Sequence, residues 1–384
     1  MAALSPTEDE RVDMVSLFAG IGGIDVGLTR GDPRLRTVLL AEIHPDAQTV
    51  LRQHFPDVPI VDDVRELVGL PSTARVVTAG SPCCDFSVAN TAKRGLEGDK
   101  SSLLREVFRL LRASPHVEHL VLENVANMLH LRGGEAVEEL GRELRALGFA
   151  FAFRVLDARA FGLRQRRRRL ICVARRRGGV PWWVVRSSVA PPREDKRETP
   201  REFAAFSWVD GNRGCGFVND SVPTLRAHDT PLYIRSQPAL IDPFTGRVGI
   251  LSCEDGEALQ GLPVGWTECI PERRRYARIG NAVPVPVFEW IGRNLLVEGG
   301  VTPVEPAPTP RGRCAIAGIG DVDTPLQKLS WVTEWPQLPS RQCAPPLAET
   351  PLSAKAIRGF LARAAKGKAG MPDWALETLR RAAE

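Results

Sequence analysis

Between residues 12 and 125 the chain alternates short apolar, β-branched runs with stretches of helical spacing. The runs fall at 12–18, 37–41, 60–64, 75–79 and 119–125, and each ends in, or carries near its end, a glycine or an acid. Their lengths suit buried strands. Helices are predicted from Ile24, over 45–54, and from a cap at Ser101 or Ser102, where Leu104, Val107, Phe108 and Leu111 share one face. Such an alternation specifies a largely parallel sheet with crossover helices. Open sheets of this kind bind ligands outside the carboxyl ends of their strands.

The residues at those ends carry the chemistry. Gly80-Ser81-Pro82-Cys83-Cys84-Asp85 follows the run Arg75–Ala79. Its glycine and proline force a loop that places Cys83 at the sheet edge, beside backbone N–H groups, as a candidate nucleophile. A lone cysteine is more often buried and inert, so the neighbours decide. Glu123 ends the next apolar strand, where a carboxylate is costly to bury without a partner, and it falls beside Cys83. Ala19-Gly20-Ile21-Gly22-Gly23 joins strand to helix, the geometry that presents backbone N–H groups to a cofactor. A nucleotide-binding oxidoreductase would share that turn. Glu42 can accept from ribose hydroxyls and Asp63 from an adenine amino group, or either can simply cap a helix.

A helix (135–147) and a strand (149–156) follow, then Gln165–Arg169 and a strand at 170–174. Between Arg164 and Arg177 stand eight arginines and no acid. That block points to a phosphate-rich partner more strongly than the net charge of +5 does. From 178 the texture changes to Trp, Pro, Gly and charge, with short strands expected near 222–225 and 232–234. Trp182, Trp183 and Trp208 could stack on bases or form a small aromatic core. A helix to about 297, a proline-rich linker and two short tail helices complete the chain. The eight cysteines show no disulfide or CxxC spacing. No signal pattern or membrane-length apolar run is present, so a cytoplasmic protein is expected.

Taken in order, these segments resemble the DNA (cytosine-5)-methyltransferase family. Phe18-Ala19-Gly20-Ile21-Gly22 resembles its S-adenosylmethionine loop, and Glu42 and Asp63 its ribose- and adenine-binding acids. Ser81-Pro82-Cys83 matches the Pro-Cys motif, Glu123-Asn124-Val125 the catalytic Glu-Asn-Val, and Gln165–Arg169 the Gln-x-Arg-x-Arg. Leu259–Pro263 and Gly280-Asn281-Ala282-Val283-Pro284 match the last two motifs. Three departures stand out. Ser81-Pro82-Cys83-Cys84-Asp85 replaces the commoner Pro-Pro-Cys-Gln, Asp255 stands for Glu, and Ile250 for Arg.

The resemblance implies a Rossmann-like α/β sheet binding S-adenosylmethionine, with a small irregular β-rich target-recognition domain. It assigns 1–177, completed by 273–298, to the catalytic domain and 178–272 to recognition. Residues 299–352 form a linker and 353–384 a tail of unknown role. The implied catalytic residues are Cys83, Glu123, Arg167 and Arg169. Phe18, Gly20, Gly22, Gly23, Glu42, Ile43, Asp63, Pro82, Asn281 and Val283 would hold the cofactor, and no metal is implied. The implied partner is double-stranded DNA, bound by a monomer in a bacterial or phage-type, nucleoid-associated setting. The loop 90–100 would close over a flipped base. A tRNA cytosine-5 methyltransferase would share nearly every motif, and an inactive DNA-binding homologue is a third reading. A restriction–modification, phage or cell-cycle setting stays open.

Overall fold

The computed structural model describes residues 6–80, 102–185, 200, 202–207, 216–227, 237–297, 317–323, 326–329, 350–365 and 370–384. In chain order the strands are β1 (Val12–Leu17), β2 (Leu35–Ala41), β3 (Ile60–Val61), β4 (Ala74–Gly80), β5 (His119–Val125), β6 (Ala150–Asp157), β7 (Gln165–Arg166) and β8 (Arg168–Arg175). They continue with β9 (Ala204–Phe206), β10 (Val218–Asn219), β11 (Val222–Pro223), β12 (Ala239–Ile241), β13 (Val248–Ile250), β14 (Ala317–Gly320), β15 (Gln327–Leu329) and β16 (Thr350–Pro351). The helices are α1 (Gly23–Gly31), α2 (Pro45–His54), α3 (Ser102–Ala113), α4 (Glu135–Ala146), α5 (Cys253–Gln260), α6 (Glu272–Asn281), α7 (Val285–Leu295), α8 (Ala354–Ala364) and α9 (Asp373–Ala382). None is long and apolar enough to cross a membrane.

The chain forms two compact units. The first comprises Met1–Ala160, Arg168–Ala190 and Val285–Leu338; the second takes Phe161–Arg167, Pro191–Pro284 and Pro339–Glu384.

The first unit is built on a sheet ordered β15-β14-β6-β8-β5-β4-β1-β2-β3. Pairing is parallel from β3 to β5 and antiparallel beyond. The side-chain alternation of strands sorts its faces. Val15, Leu17, Val77, Ala79, Leu120 and Leu122 join a core with Leu104, Val107, Leu140 and Leu144 of α3 and α4. On the other face α1 lies against α7 so closely that a Cβ at Gly27 would come 2.5 Å from that of Phe288. Under α1 the core is polar. Asp25, Ser16 and Thr78 are fully buried. The Ser16 hydroxyl donates to Asp25 Oδ2 (2.9 Å), Thr37 to Asp25 Oδ1 (2.8 Å) and Thr78 to Ser16 (3.0 Å).

The second unit holds a sheet ordered β10-β9-β12-β13-β16, antiparallel throughout. Alternation again decides its layers. Ala204, Phe206, Ala239, Ile241, Val248 and Ile250 face Ile357, Phe360, Ala375 and Leu379 of α8 and α9. Phe203, Ala205 and Leu240 face Leu259 of α5 and Tyr276 and Ile279 of α6.

These contacts bear on the stretches expected as linker and tail. Residues 299–352 contain β14, which pairs with β6, and β16, which pairs with β13. Within 353–384, α8 and α9 form one wall of the second unit's core. β14 escapes a sequence reading because its Ala-Gly-Ile-Gly carries little strand propensity. Its glycines are needed where the rings of Phe153 and Phe151 lie over the strand.

Two outcomes follow from this packing. Phe360 is fully buried with its ring centroid 4.8 Å from that of Phe206, so Phe360→Ala should cost roughly 3–5 kcal/mol in chemical denaturation. A loss near zero would mean that the tail does not close the core. Burial raises the Asp25 carboxyl from 3.8 to about 6. Between those values the folded chain keeps a proton that the unfolded chain has released. The group's contribution is therefore full below 3.8 and is lost as pH rises through about 6. Asp25→Asn should flatten that part of the stability profile, and an unchanged slope contradicts the assignment.

Candidate active site

Strand order reverses between β1 and β4, since the chain builds outward to β3 and then returns to the other side of β1. Such a reversal opens a crevice at the carboxyl edge, because the two crossovers leave on opposite faces. Several of the expected residues follow the strand ends at that edge. After Leu17 the backbone turns through Phe18 (φ 56°), Gly20 (φ 56°) and Gly22 (φ 81°) into α1. A side chain at Gly22 would stand 2.5 Å from the Phe55 ring. Phe18 has no such licence. A left-handed non-glycine residue costs of order 1–3 kcal/mol and persists only where its surroundings impose it.

Glu42, just beyond β2, uses one oxygen on the loop after β1 and the other on the turn after its own strand. Its Oε2 accepts from the Gly20 N–H (2.8 Å) and its Oε1 from the His44 N–H (2.8 Å). A carboxylate offers about four lone-pair positions, which is why one side chain can serve two main-chain donors. Ile43 beside it is 65% exposed, a rare position for a large apolar residue here. Asp63 lies past β3, clasped by the Arg65 guanidinium and capping the Arg65 N–H. The Arg65 hydrogen bonds hold its carboxyl below the ordinary value. Gln48 of α2, which sequence reasoning missed, donates to the Glu42 carbonyl (2.7 Å) and to Asp62 Oδ1 (3.0 Å). A polar residue on a buried helix face was its only signal.

On the other side of β1, Gly80 pairs with Glu123. A Cβ on Gly80 would lie 3.6 Å from the Phe18 carbonyl and from Ile24, so the end of β4 touches the glycine loop. Pro82, Cys83 and the loop 90–100 lie outside the described residues, as do Trp208 and 232–234. Glu123 is buried, and β8 runs antiparallel to β5 so that Arg169 sits opposite Val125. The Arg169 Nε is 2.8 Å from Glu123 Oε1. That contact is an ion pair, with the N–H directed off the oxygen, which accepts no hydrogen bond among the described residues.

Arg167 belongs elsewhere. It is buried in the second unit, donating to the carbonyls of Leu225 (3.0 Å), Gly280 (3.2 Å) and Ala282 (2.7 Å). Gln165 donates to the Leu259 carbonyl (3.0 Å) and accepts from the Leu225 N–H (3.2 Å). Gln260 donates to the carbonyls of Ile279 (2.8 Å) and Ala282 (3.2 Å). A guanidinium that donates from both terminal nitrogens to main-chain carbonyls acts as a strut in its unit; the expectation was a second arginine beside Arg169 in the site or on a phosphate. Asn281 is exposed at the end of α6 and Val283 is buried just after it.

Two departures from the expected motifs fall on described residues, and both are absorbed. Asp255 forms a reciprocal capping box with Ser252, and Ile250 packs in the apolar face of its sheet. No His, Cys, Asp and Glu cluster able to hold a metal occurs among the described residues.

A family model described as C-5 cytosine-specific DNA methylase matches residues 12–201. Type II methyltransferase M2.BsuMI of Bacillus subtilis strain 168 is 36% identical over 369 residues, spanning 92% of this chain and 93% of that protein. Type II methyltransferase M.Eco47II of Escherichia coli is 36% identical over 160 residues, 40% of this chain and 37% of its own length. Among solved structures, the Entamoeba histolytica methyltransferase EhMeth aligns with 74% of this chain and 98% of its own at TM-score 0.53 and 12% identity. The S. pombe Dnmt2 methyltransferase covers the same shares at TM-score 0.50 and 16% identity. At such identities the likeness is one of fold.

A Cβ at Gly280 would meet the backbone of Arg226 at 2.5 Å. Gly280→Ala must therefore move the main chain that Arg167 and Gln165 hold, at about 1–3 kcal/mol. Thermal unfolding of the variant checks this, and an unchanged midpoint contradicts the close approach.

Proposed function

The chain belongs to the C-5 cytosine-specific DNA methylase family and is a DNA (cytosine-5) methyltransferase, and from that premise we propose how its residues carry the reaction. The observation that supports the reading best is the pairing of Gly80 with Glu123, with Arg169 2.8 Å from the carboxylate. Cys83 follows Gly80 by three residues in the sequence, and the proposal is that its thiol works together with that carboxylate.

Cytosine carbon 5 is too weak a nucleophile to take a methyl group unaided. The Cys83 thiolate adds to carbon 6, which pushes electron density onto carbon 5 and splits one hard step into easier ones. Glu123 holds a proton or a strong hydrogen bond at ring nitrogen N3, relieving the charge that the addition creates. Arg169 keeps Glu123 oriented and faces the charge building on the ring oxygen. Carbon 5 then takes the methyl group; loss of its proton to a base and departure of the thiolate restore the ring. A base inside a duplex cannot reach such an edge, so it must flip out.

S-adenosylmethionine, when bound, supplies the electrophilic methyl. The residues present fit it. The glycine loop leaves open space beside Gly20, Glu42 puts a carboxylate against that loop where ribose hydroxyls would donate, and exposed Ile43 offers an apolar surface to a purine. Asp63, Pro82, Asn281 and Val283 are proposed to complete the contact. The second unit would read the duplex around the target, with Arg167 as its internal strut. The enzyme would act as a cytoplasmic monomer.

The test is methyl transfer to duplex DNA and, in parallel, to tRNA, with 5-methylcytosine mapped by bisulfite sequencing. Wild type should modify the duplex. Cys83→Ser should abolish the reaction, and Glu123→Gln should slow it roughly a hundred- to ten-thousand-fold. Transfer to tRNA alone, or an active Cys83→Ser, would overturn the reading.

A further inference from the structure

Asp25 takes no part in the chemistry above, yet it is the fully buried acid nearest in sequence to the glycine loop. A leucine at that place would pack without electrostatic cost, whereas an ionised carboxylate in the core must be compensated by what it binds. Its partners are informative. Ser16 lies two residues before Phe18, and Thr78 two residues before Gly80. Ser16 and Thr78 are register partners on adjacent strands, and Thr37 stands opposite Met14 on the other side of β1. One carboxylate therefore ties the first turn of α1 to β1 and β2 directly, and to β4 through the Ser16 hydroxyl.

The bond from Ser16 to Asp25 also spans the whole of the Phe18–Gly22 turn. That turn contains a left-handed non-glycine residue, a conformation that relaxes unless its ends are pinned. Glu42 pins the middle through the Gly20 N–H, and Asp25 with Ser16 pins both ends. We propose that Asp25 is a positioning residue for the cofactor loop, holding Phe18–Gly22 in its receiving shape from beneath without touching the ligand.

The inference rests on the cofactor reading, and the experiment separates the two. Calorimetry measures S-adenosylmethionine and S-adenosylhomocysteine binding to wild type, Asp25→Asn, Ser16→Ala and Thr37→Val. Steady-state kinetics give KM for the donor and kcat at saturating donor. Losing a buried charge-assisted hydrogen bond corresponds to roughly a ten- to hundredfold change in an equilibrium constant. Asp25→Asn should weaken both ligands by about that factor and equally, raising KM and leaving kcat nearly unchanged. Ser16→Ala, which keeps the carboxylate but opens the span, should follow in the same direction. Thr37→Val, which leaves the span closed, should have the smaller effect.

Wild type that binds neither ligand would reject the cofactor reading itself. Wild type that binds while Asp25→Asn binds equally well would reject the inference. So would a loss confined to the sulfonium form, which would make Asp25 a charge contact instead of a support. Ser16→Ala keeps the test decisive should Asp25→Asn fail to fold.

Discussion

A parallel sheet delivers its strand ends to one edge, and the pairing between β4 and β5 is the contact on which the site depends. Its last register places Gly80 against Glu123. Hydrogen bonding along the ladder allows no slip of one residue without turning every side chain of the strand to the other face. The apolar partners before that point, Val77 with Leu120 and Ala79 with Leu122, are buried, so the register is held by the core and the edge inherits it. The carboxylate is then obliged to sit where water is scarce. Arg169 answers that cost, and it can do so because β8 enters antiparallel and begins where β5 ends.

The two arginines of the Gln-x-Arg-x-Arg run show how one short segment can serve two bodies. Gln165 and Arg166 pair with β11, while Arg168 starts a strand of the large sheet. Arg167 stands at the junction, and its side chain enters the second unit's core. There Gln165, Arg167 and Gln260 satisfy the main-chain groups of three separate segments. Buried polar groups matched in this way rigidify what they join. The segment they join includes Leu225, at the foot of the stretch expected to read the target.

Much of the first unit was legible in the sequence, because its strands are mostly apolar and its helices carry one apolar stripe each. The glycine loop and Glu42 were each legible at a strand end, but the hydrogen bond of 2.8 Å that joins them was not. The role of Arg167 was not legible, since an arginine in a basic run looks the same whether it meets phosphate or carbonyl oxygens. Nor was the place of the tail. Ile357, Phe360 and Leu361 show helical spacing, but nothing local says that their partners are Phe206 and Ile241, over a hundred positions earlier. The hydroxyl chain under α1 was invisible for the same reason: Ser16, Thr37 and Thr78 interrupt apolar strands singly, and only the fold gathers them on Asp25.

The central claim is that the thiol at position 83 works beside Glu123 on one extruded cytosine. A duplex carrying 5-fluorocytosine at the methylated site tests it most directly, because the fluorine cannot leave as a proton does and the adduct is trapped. After incubation with S-adenosylmethionine and proteolysis, mass spectrometry should find the methylated fluorocytosine on the peptide at Cys83. An adduct on Cys84, or transfer without any covalent adduct, would contradict the account.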